Sequence, residues 1–410
     1  MSAPTHASPA NGGAPIDLTI LISPPAAAIT GEGLSDAVRG VLTEMGVTFE
    51  VIALMKPSFG DALRTGFARA RGRWIAMVDD GLQNDPQVLS RLWAARDAAG
   101  MVIASRYIEG GHAAMAFRRR LASRVANRVT RRILSLDAHD ISSACRLYRA
   151  DAVRGLTLMS AGFDVLQEVL ILVAADGWTV REVPYRYRGS VKRHSVRRWH
   201  QARGFVRTLV GLWQLRNSAF SADYDERAYN SVIPLQRYWQ RARFARIREF
   251  VDPRSRTLDI GCGSSRIIQS MPGAVGLDIQ LKKLRHISRK SMRLVQGSLT
   301  FLPFTDGAFE TVVCSQVIEH VPYDLVDWTE MSRVLEPGGT LVIGTPDYAT
   351  FAWPALEWAY GIVHPKGYVH EHINQYTAKS LADELNRHGF EITGTAYVGG
   401  GELIYRARKK

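Results

Sequence analysis

Thr257-Leu-Asp-Ile-Gly-Cys-Gly-Ser-Ser265 runs a short β-prone segment directly into a turn with glycine at 261 and 263, followed by a helix expected from Arg266. A strand-to-helix turn this tight needs glycine, because a Cβ there blocks either the φ angle or a ligand lying on the backbone. The helix start is expected to offer free N–H groups to a carboxylate or phosphate. Downstream, Gly276-Leu-Asp278 closes a second strand with a carboxylate placed to accept hydrogen bonds from the hydroxyls of a ribose.

The alternation of strand and helix that begins here also occurs earlier in the chain. Asp17-Leu-Thr-Ile-Leu-Ile-Ser23 reads as a buried strand, with a helix at 33–45, a strand at 49–54, a helix at 60–71 and a strand at 73–78. Strands alternating with helices imply βαβ units and a mostly parallel sheet. With 410 residues, more than one hydrophobic core usually spans, the expectation is two consecutive α/β domains. The division is a disordered leader at 1–15, a first domain at 16–195, a basic amphipathic helical linker and cap at 196–250 and a second domain at 251–410.

Composition excludes several classes. The chain is 46% hydrophobic and 22% charged, enough apolar material to fold and too little charge for disorder. Cys145, Cys262 and Cys314 lie far apart with no CxxC, which fits a reducing cytoplasm and argues against a structural zinc site. No apolar run reaches the roughly 18 residues of a membrane span, and the N-terminus lacks the marks of a signal peptide, so a cytoplasmic protein is expected. Residues 1–220 hold 29 Lys and Arg against 18 Asp and Glu, whereas 221–410 hold 23 against 21. The basic excess of the first half attracts phosphate-bearing ligands or an anionic membrane. Nucleic acid is not expected, because no stacking motif or nucleic-acid module accompanies the charge. Helically wound, residues 197–216 put Trp199, Ala202, Phe205, Val206, Leu209, Leu212 and Trp213 along one stripe flanked by Arg197, Arg198, Arg203, Arg207 and Arg216. This is either an interfacial helix at a membrane surface or a basic helix packed on its own domain.

Around the glycine turn the chain resembles the class I S-adenosylmethionine-dependent methyltransferases. The matching blocks are Asp259-Ile-Gly-Cys-Gly263, Leu302-Pro-Phe-Thr-Asp-Gly-Ala-Phe-Glu310, Val312-Val-Cys-Ser315, Val317-Ile-Glu-His-Val321 and Leu335-Glu-Pro-Gly-Gly339, spread over about residues 225–410. The D-x-G-x-G turn suits a nucleoside with an amino-acid tail better than the pyrophosphate met by G-x-G-x-x-G. The resemblance implies a Rossmann-like sheet with S-adenosylmethionine as cofactor. Asp259, Gly261 and Gly263 would cradle its methionine and ribose, Asp278 would hold the ribose, Ser298 and Leu299 would border the adenine, and Ser315 would face the sulfonium with Gln316. An acid common near Ser298 in that family is absent here. Methyl transfer needs aligned donor and acceptor, plus a base if the acceptor is a hydroxyl. Candidates are His320, His370 and His372, the last two within His364-Pro-Lys-Gly-Tyr-Val-His-Glu-His372. Their spacing matches no recognised metal motif, so no metal is expected. Phe351-Ala-Trp-Pro-Ala-Leu-Glu-Trp-Ala-Tyr360 offers aromatic walls for an acceptor or a packed lid helix.

The first domain resembles the family 2 glycosyltransferases, in particular the dolichyl-phosphate mannosyltransferase-like branch, over roughly residues 15–218. The resemblance rests on Phe59–Gly72, Met77-Val-Asp-Asp-Gly-Leu-Gln-Asn-Asp-Pro86, Val102-Ile-Ala-Ser-Arg-Tyr107, Asp140-Ile-Ser-Ser-Ala-Cys-Arg-Leu-Tyr-Arg149 and Glu182-Val-Pro184. It implies a GT-A sheet, the nucleotide-diphospho-sugar transferase fold, and a divalent cation held by an Asp-x-Asp pair. Here Asp79 and Asp80 are followed by Gly81, the first loop is Ser23-Pro-Pro-Ala-Ala-Ala28, and the second is shortened at Ala53-Leu-Met-Lys-Pro-Ser58. The donor site is therefore expected to be degenerate, with Mg or Mn needed only if it works. Asp140, Arg146, Arg149 and Ser195 survive, as do the arginines Arg118, Arg119, Arg120, Arg124, Arg128, Arg131 and Arg132, which suit a phosphate head group.

Three functions follow. The first is a methyltransferase acting on a glycan, lipid-linked sugar or glycosylated metabolite, with the front domain binding the acceptor. The second is a bifunctional enzyme that also transfers a sugar, and the third is a non-enzymatic scaffold.

Overall fold

The computed structural model describes residues 15–22, 29–30, 33–54, 58–78, 82, 85–187, 208–290, 292–363 and 372–410. The chain separates into two compact units, residues 1–173 with 179–208, and residues 174–178 with 209–410. Residues 209–250, read in sequence as linker and cap, cluster with the second unit. The expected leader lies, up to residue 14, outside the described residues.

The first unit is built on strands β1 (Leu18–Ile22), β2 (Phe49–Ala53), β3 (Trp74–Val78), β4 (Met101–Ser105), β5 (Arg146–Arg149) and β6 (Val180–Pro184). Their order is β2-β1-β3-β5-β4-β6. All residues of β1, β3 and β4 are buried, as strands covered on both faces must be, which is why they read as unbroken apolar runs. The sheet is parallel except for β5, which runs antiparallel to β3 and β4. Helix α1 (Asp36–Glu44) buries Val38, Val41 and Leu42 on the side where Leu18, Ile20 and Ile22 point, and α3 (Val88–Ala94) joins the same core. Helix α2 (Phe59–Arg69) starts on Ser58, whose hydroxyl accepts from the Asp61 N–H at 3.1 Å.

Helix α4 (Phe117–Leu134) is inverted in its amphipathicity. Its inner face buries Asn127, Thr130 and Leu134, and the Asn127 Oδ1 accepts the Ile141 N–H. Its outer face carries Phe117, Leu121, Val125, Val129 and Ile133, each 46–67% exposed, at a regular spacing of four. Seven arginines flank this stripe, and the helix holds no acid. Helix α5 (Val165–Ala175) follows.

In the second unit, α6 (Tyr224–Tyr229) and α7 (Pro234–Phe250) precede the sheet, with Pro234 at the first turn of α7, where a missing N–H costs nothing. The strands are β7 (Thr257–Ile260), β8 (Val275–Asp278), β9 (Arg293–Gln296), β10 (Phe309–Ser315), β11 (Leu335–Pro346), β12 (Phe390–Val398) and β13 (Glu402–Lys409), ordered β9-β8-β7-β10-β11-β13-β12. Strands β7 to β11 are parallel, and β13 lies antiparallel between β11 and β12. The order reverses at β7 and β10, which opens a crevice at their C-terminal ends. Helices α8 (Arg266–Gln269), α9 (Leu281–Ser288), α10 (Trp328–Val334), α11 (Ala352–Val363) and α12 (Ala378–Arg387) complete the unit. Leu258, Ile260, Val312, Cys314, Leu341 and Ile343 face one core, whereas Val313, Val342 and Ile404 face the other with Ile268, Leu284 and Ile287.

Two sequence expectations change here. Of the helix expected over 197–216, residues 208–216 are described and helical, but Leu212 is buried, and Arg216 is 2% exposed in an ion pair with Asp223 at 2.6 Å. That end packs on its own unit, while Trp199 to Arg207 lie outside the described residues. Arg146, expected to face an acceptor, is fully buried and donates to the carbonyls of Ser143, Leu166 and Ile141 at 2.6–2.8 Å. Its guanidinium is consumed in clamping backbone. Arg146→Met should lower the stability of the first unit by about 3 kcal/mol or more, since the carbonyls it leaves buried lose their donor; urea unfolding followed by circular dichroism reads the change.

Candidate functional site

The C-terminal ends of β7 and β10 carry the candidate site. Gly261 and Gly263 take φ of +67° and +52°, and a Cβ would approach Val317 Cγ2 to 2.3 Å and Asp225 Oδ2 to 2.5 Å respectively. Both glycines are therefore obligatory, as expected. The turn's N–H groups are not free, however. Gly263 N–H donates to Asp278 Oδ2 at 2.9 Å, and Ser264 N–H to Asp225 Oδ2 at 3.1 Å. Helix α8 is a single turn of four residues, capped by Ser265. The expectation of an N–H cradle for an anion is thus corrected: carboxylates of the protein already occupy it.

Asp225, on α6, carried no signal in the sequence beyond its place ahead of the domain. It also approaches Lys283 Nζ at 3.8 Å. Burial would lower the Lys283 amine, but Asp225 and Asp278 outweigh it and hold the amine above its usual value. Asp278 Oδ1 accepts the Gln280 N–H at 2.7 Å, so both oxygens of this carboxylate are backbone-bound. Asp259 is 2% exposed, and its Oδ2 meets no partner among the described residues. Burial, then the neighbouring carboxylates Asp278 and Asp225, push its carboxyl up to about 8.

A cavity of ≈ 630 Å³, counted to its open mouth, is lined by Asp225, Tyr229, Arg243, Asp259, Arg266, Ser315 and Gln316 among others. Several of its walls carry unsatisfied polar atoms. Asp259 Oδ2, Ser315 Oγ, Gln316 Nε2 and Arg266 Nε are buried without a hydrogen bond among the described residues. Gln316 also holds φ +60°, a strained conformation for a residue with a Cβ. Arg243 is pinned by a buried ion pair with Glu402 at 2.6 Å. Unsatisfied donors and acceptors converging on one crevice are the mark of a ligand-binding site. Asp278 stands one strand further along. Ser298 follows β9 and its hydroxyl is taken by Thr300, while Leu299 packs into the core rather than the cavity.

Beyond Gln316 the chain makes a 3-10 turn, Ile318–His320. The segment that begins at His372 is tied to it: Ile373 and Asn374 donate their N–H groups to the Glu319 carbonyl at 2.8 and 3.1 Å. The rings of His320 and His372 consequently lie 4.9 Å apart. His372 Nδ1 is 2.8 Å from Tyr348 Oη, and Trp353 stacks on its ring. Burial, reinforced by His320, pulls the His372 imidazole down to about 4. Glu319, fully buried, is pushed up to about 8 by desolvation. His370, like His364 and Glu371, lies outside the described residues.

In the first unit, Asp140 is fully buried and paired at both oxygens by Arg106, at 2.6 and 2.7 Å. That carboxylate is neutralised from within. Asp79 and Asp80 lie outside the described residues.

Residues 258–343 match the family model described as a methyltransferase domain, and residues 36–157 match that of glycosyl transferase family 2. The chain joins a family 2 glycosyltransferase domain to a methyltransferase domain. It is 28% identical over 202 residues to a demethylmenaquinone methyltransferase of Mycobacterium marinum, covering 44% of this chain and 87% of that protein. With a demethylmenaquinone methyltransferase of Bacillus cereus it shares 31% identity over 129 residues, 28% of this chain and 54% of that one. The chain thus spans about half the length of the Bacillus relative. Among solved structures, a methyltransferase of Thermotoga maritima is similar at 20% identity over 45% of this chain and 99% of that chain, with a TM-score of 0.35.

The Asp259 carboxyl sets a pH dependence. Burial and its carboxylate neighbours hold this group at about 8, above the ordinary aspartate value of 3.8, so between those values the folded chain holds a proton that the unfolded chain releases. Stability present at low pH is therefore lost as pH rises between those values, at up to about 1.4 kcal/mol per pH unit for this group. Thermal unfolding of the cofactor-free protein should fall from pH 6.5 to pH 8, and Asp259→Asn should flatten the part of that slope that Asp259 contributes.

Proposed function

We propose that the second domain transfers a methyl group from S-adenosylmethionine to a sugar- or phosphate-bearing acceptor. The supporting observation is the unpartnered Oδ2 of Asp259 beside Asp225 and Asp278, a cluster of carboxyl groups that repels a pyrophosphate and in which Asp259 releases its proton when a cation binds. A nucleoside carrying a sulfonium and an ammonium group supplies the missing counter-charge, and Gln316 Nε2 and Arg266 Nε remain to donate to its carboxylate. When bound, the cofactor supplies an electrophilic methyl carbon. The chain's own residues then have three tasks: Asp278 orients the ribose, Ser315 and Gln316 fix the sulfonium side, and His320 and His372 hold the acceptor or take its proton.

The first domain is proposed to bind the acceptor rather than to transfer a sugar. Gly81 in place of the second metal-binding acid and the internally paired Asp140 both support this reading. Isothermal titration should detect S-adenosylmethionine binding, and Asp278→Ala should weaken it at least about 100-fold, the loss of two hydrogen bonds to a charged group. The same titration with a UDP or GDP sugar and Mn²⁺ should give no heat and no hydrolysis; turnover there would establish a bifunctional enzyme instead.

Helix α4 supports docking of the first domain on an anionic membrane surface, consistent with a cytoplasmic protein peripheral to the membrane. Five exposed apolar side chains on one stripe, flanked by seven arginines with no acid, combine insertion with attraction to anionic lipid. No helix among the described residues is long and apolar enough to cross a membrane. The protein should co-sediment with vesicles containing phosphatidylglycerol and not with pure phosphatidylcholine, and Leu121→Asp with Val125→Asp should abolish it.

A further inference from the structure

Glu319, His320 and His372 each offer one ligand atom, and the three atoms lie within 4.8 Å of one another. From this geometry we infer that the second domain holds a divalent transition-metal cation between these side chains, beside the methyl-donor cavity. The sequence concealed the set, because the spacing of 319, 320 and 372 fits no metal motif and only the tertiary fold closes it.

Four observations converge. Glu319 is fully buried, and its Oε1 has no hydrogen-bond partner among the described residues, while Oε2 accepts only a long 3.4 Å contact from Thr345. A carboxylate taken out of water without pairing is expensive, and a bound cation removes the cost. Second, the approach is built into the backbone: the Glu319 carbonyl receives Ile373 and Asn374 N–H, and Asn374 Nδ2 donates to the carbonyls of Ile318 and Val321. His372 is thereby held against the 3-10 turn by main-chain bonds, independently of any ligand. Third, His372 has an outer support of the kind metal-bound imidazoles use. Its Nδ1 meets Tyr348 Oη at 2.8 Å, leaving Nε2 as the coordinating atom, and the Trp353 ring restrains the plane. Fourth, the cluster adjoins the cavity: Ser315 and Gln316, which line it, lead through Val317 into the turn that carries Glu319 and His320.

Donor atoms around a first-row cation at about 2.1 Å sit about 3–3.5 Å apart, so a side-chain movement of about 1 Å closes the set. Two imidazoles and one carboxylate select a transition metal over Mg²⁺, which prefers oxygen ligands, and three protein ligands leave open positions for a substrate. If the proposed methyl transfer holds, those positions take an acceptor oxygen, lower the pKa of its hydroxyl and fix it for attack, so that His320 and His372 hold the acceptor through the cation rather than take its proton; this role rests on that reading, whereas binding of the cation does not.

The full-length protein, stripped with a chelator, should take up one Co²⁺ per chain with visible d–d absorption, displaced by Zn²⁺ and unaffected by a thousandfold excess of Mg²⁺. Glu319→Gln and His372→Ala should lose the uptake, and Tyr348→Phe should weaken it about tenfold. Far-UV circular dichroism and S-adenosylmethionine titration on the same samples report whether each variant is folded. Absent Co²⁺ uptake by the wild type, uptake unchanged in folded Glu319→Gln and His372→Ala, or equal competition by Mg²⁺ would each overturn the inference. Loss of S-adenosylmethionine binding with Co²⁺ uptake intact would overturn the methyl-donor reading alone.

Discussion

A buried carboxyl group with too few partners organises the second domain. Asp259 lies at the end of the central strand β7, nearly out of contact with water, with Asp278 on one side and Asp225 arriving from α6. In a protein interior such charges persist only when paired, neutralised by a proton, or completed by a ligand. Lys283 compensates in part. The rest of the structure accommodates the imbalance: the glycine turn brings its N–H groups to Asp278 and Asp225, and α6 is docked on that turn through Ser264. The site is thus prepared for a cation, and its chemistry is set before any ligand arrives.

The same constraint separates this turn from the nucleotide cradles it resembles in outline. Where a pyrophosphate is bound, backbone N–H groups at a helix start stay available to the anion. Here Asp225 and Asp278 fill those positions, and α8 is too short to contribute an appreciable dipole. The unsatisfied atoms that remain, acceptors at Asp259 and Glu319 and donors at Gln316 and Arg266, lie along the ends of β7 and β10. The reversal of strand order at those two strands creates the space they face.

In the first domain, charge is spent differently. Arg146 and Asp140, both fully buried, are saturated within the protein, the one by backbone carbonyls and the other by Arg106. What is left for a partner lies on the outside of α4, whose polar inner face and apolar outer face reverse the usual arrangement. A helix in water buries its apolar stripe against its own core unless something else covers it.

Sequence alone determined the alternation of strands and helices in both halves, because buried parallel strands must read as apolar runs and helices as a 3.6-residue repeat. It determined Gly261, Gly263, Asp259 and Asp278 too, since a turn that admits no Cβ and a strand-end carboxylate leave a local signature. Local pattern could not register contacts between distant segments. Asp225 on the glycine turn, the antiparallel insertion of β5, the interior fate of Arg146 and the meeting of His372 with Glu319 and His320 were decided only by the tertiary structure, because each depends on which remote element packs alongside.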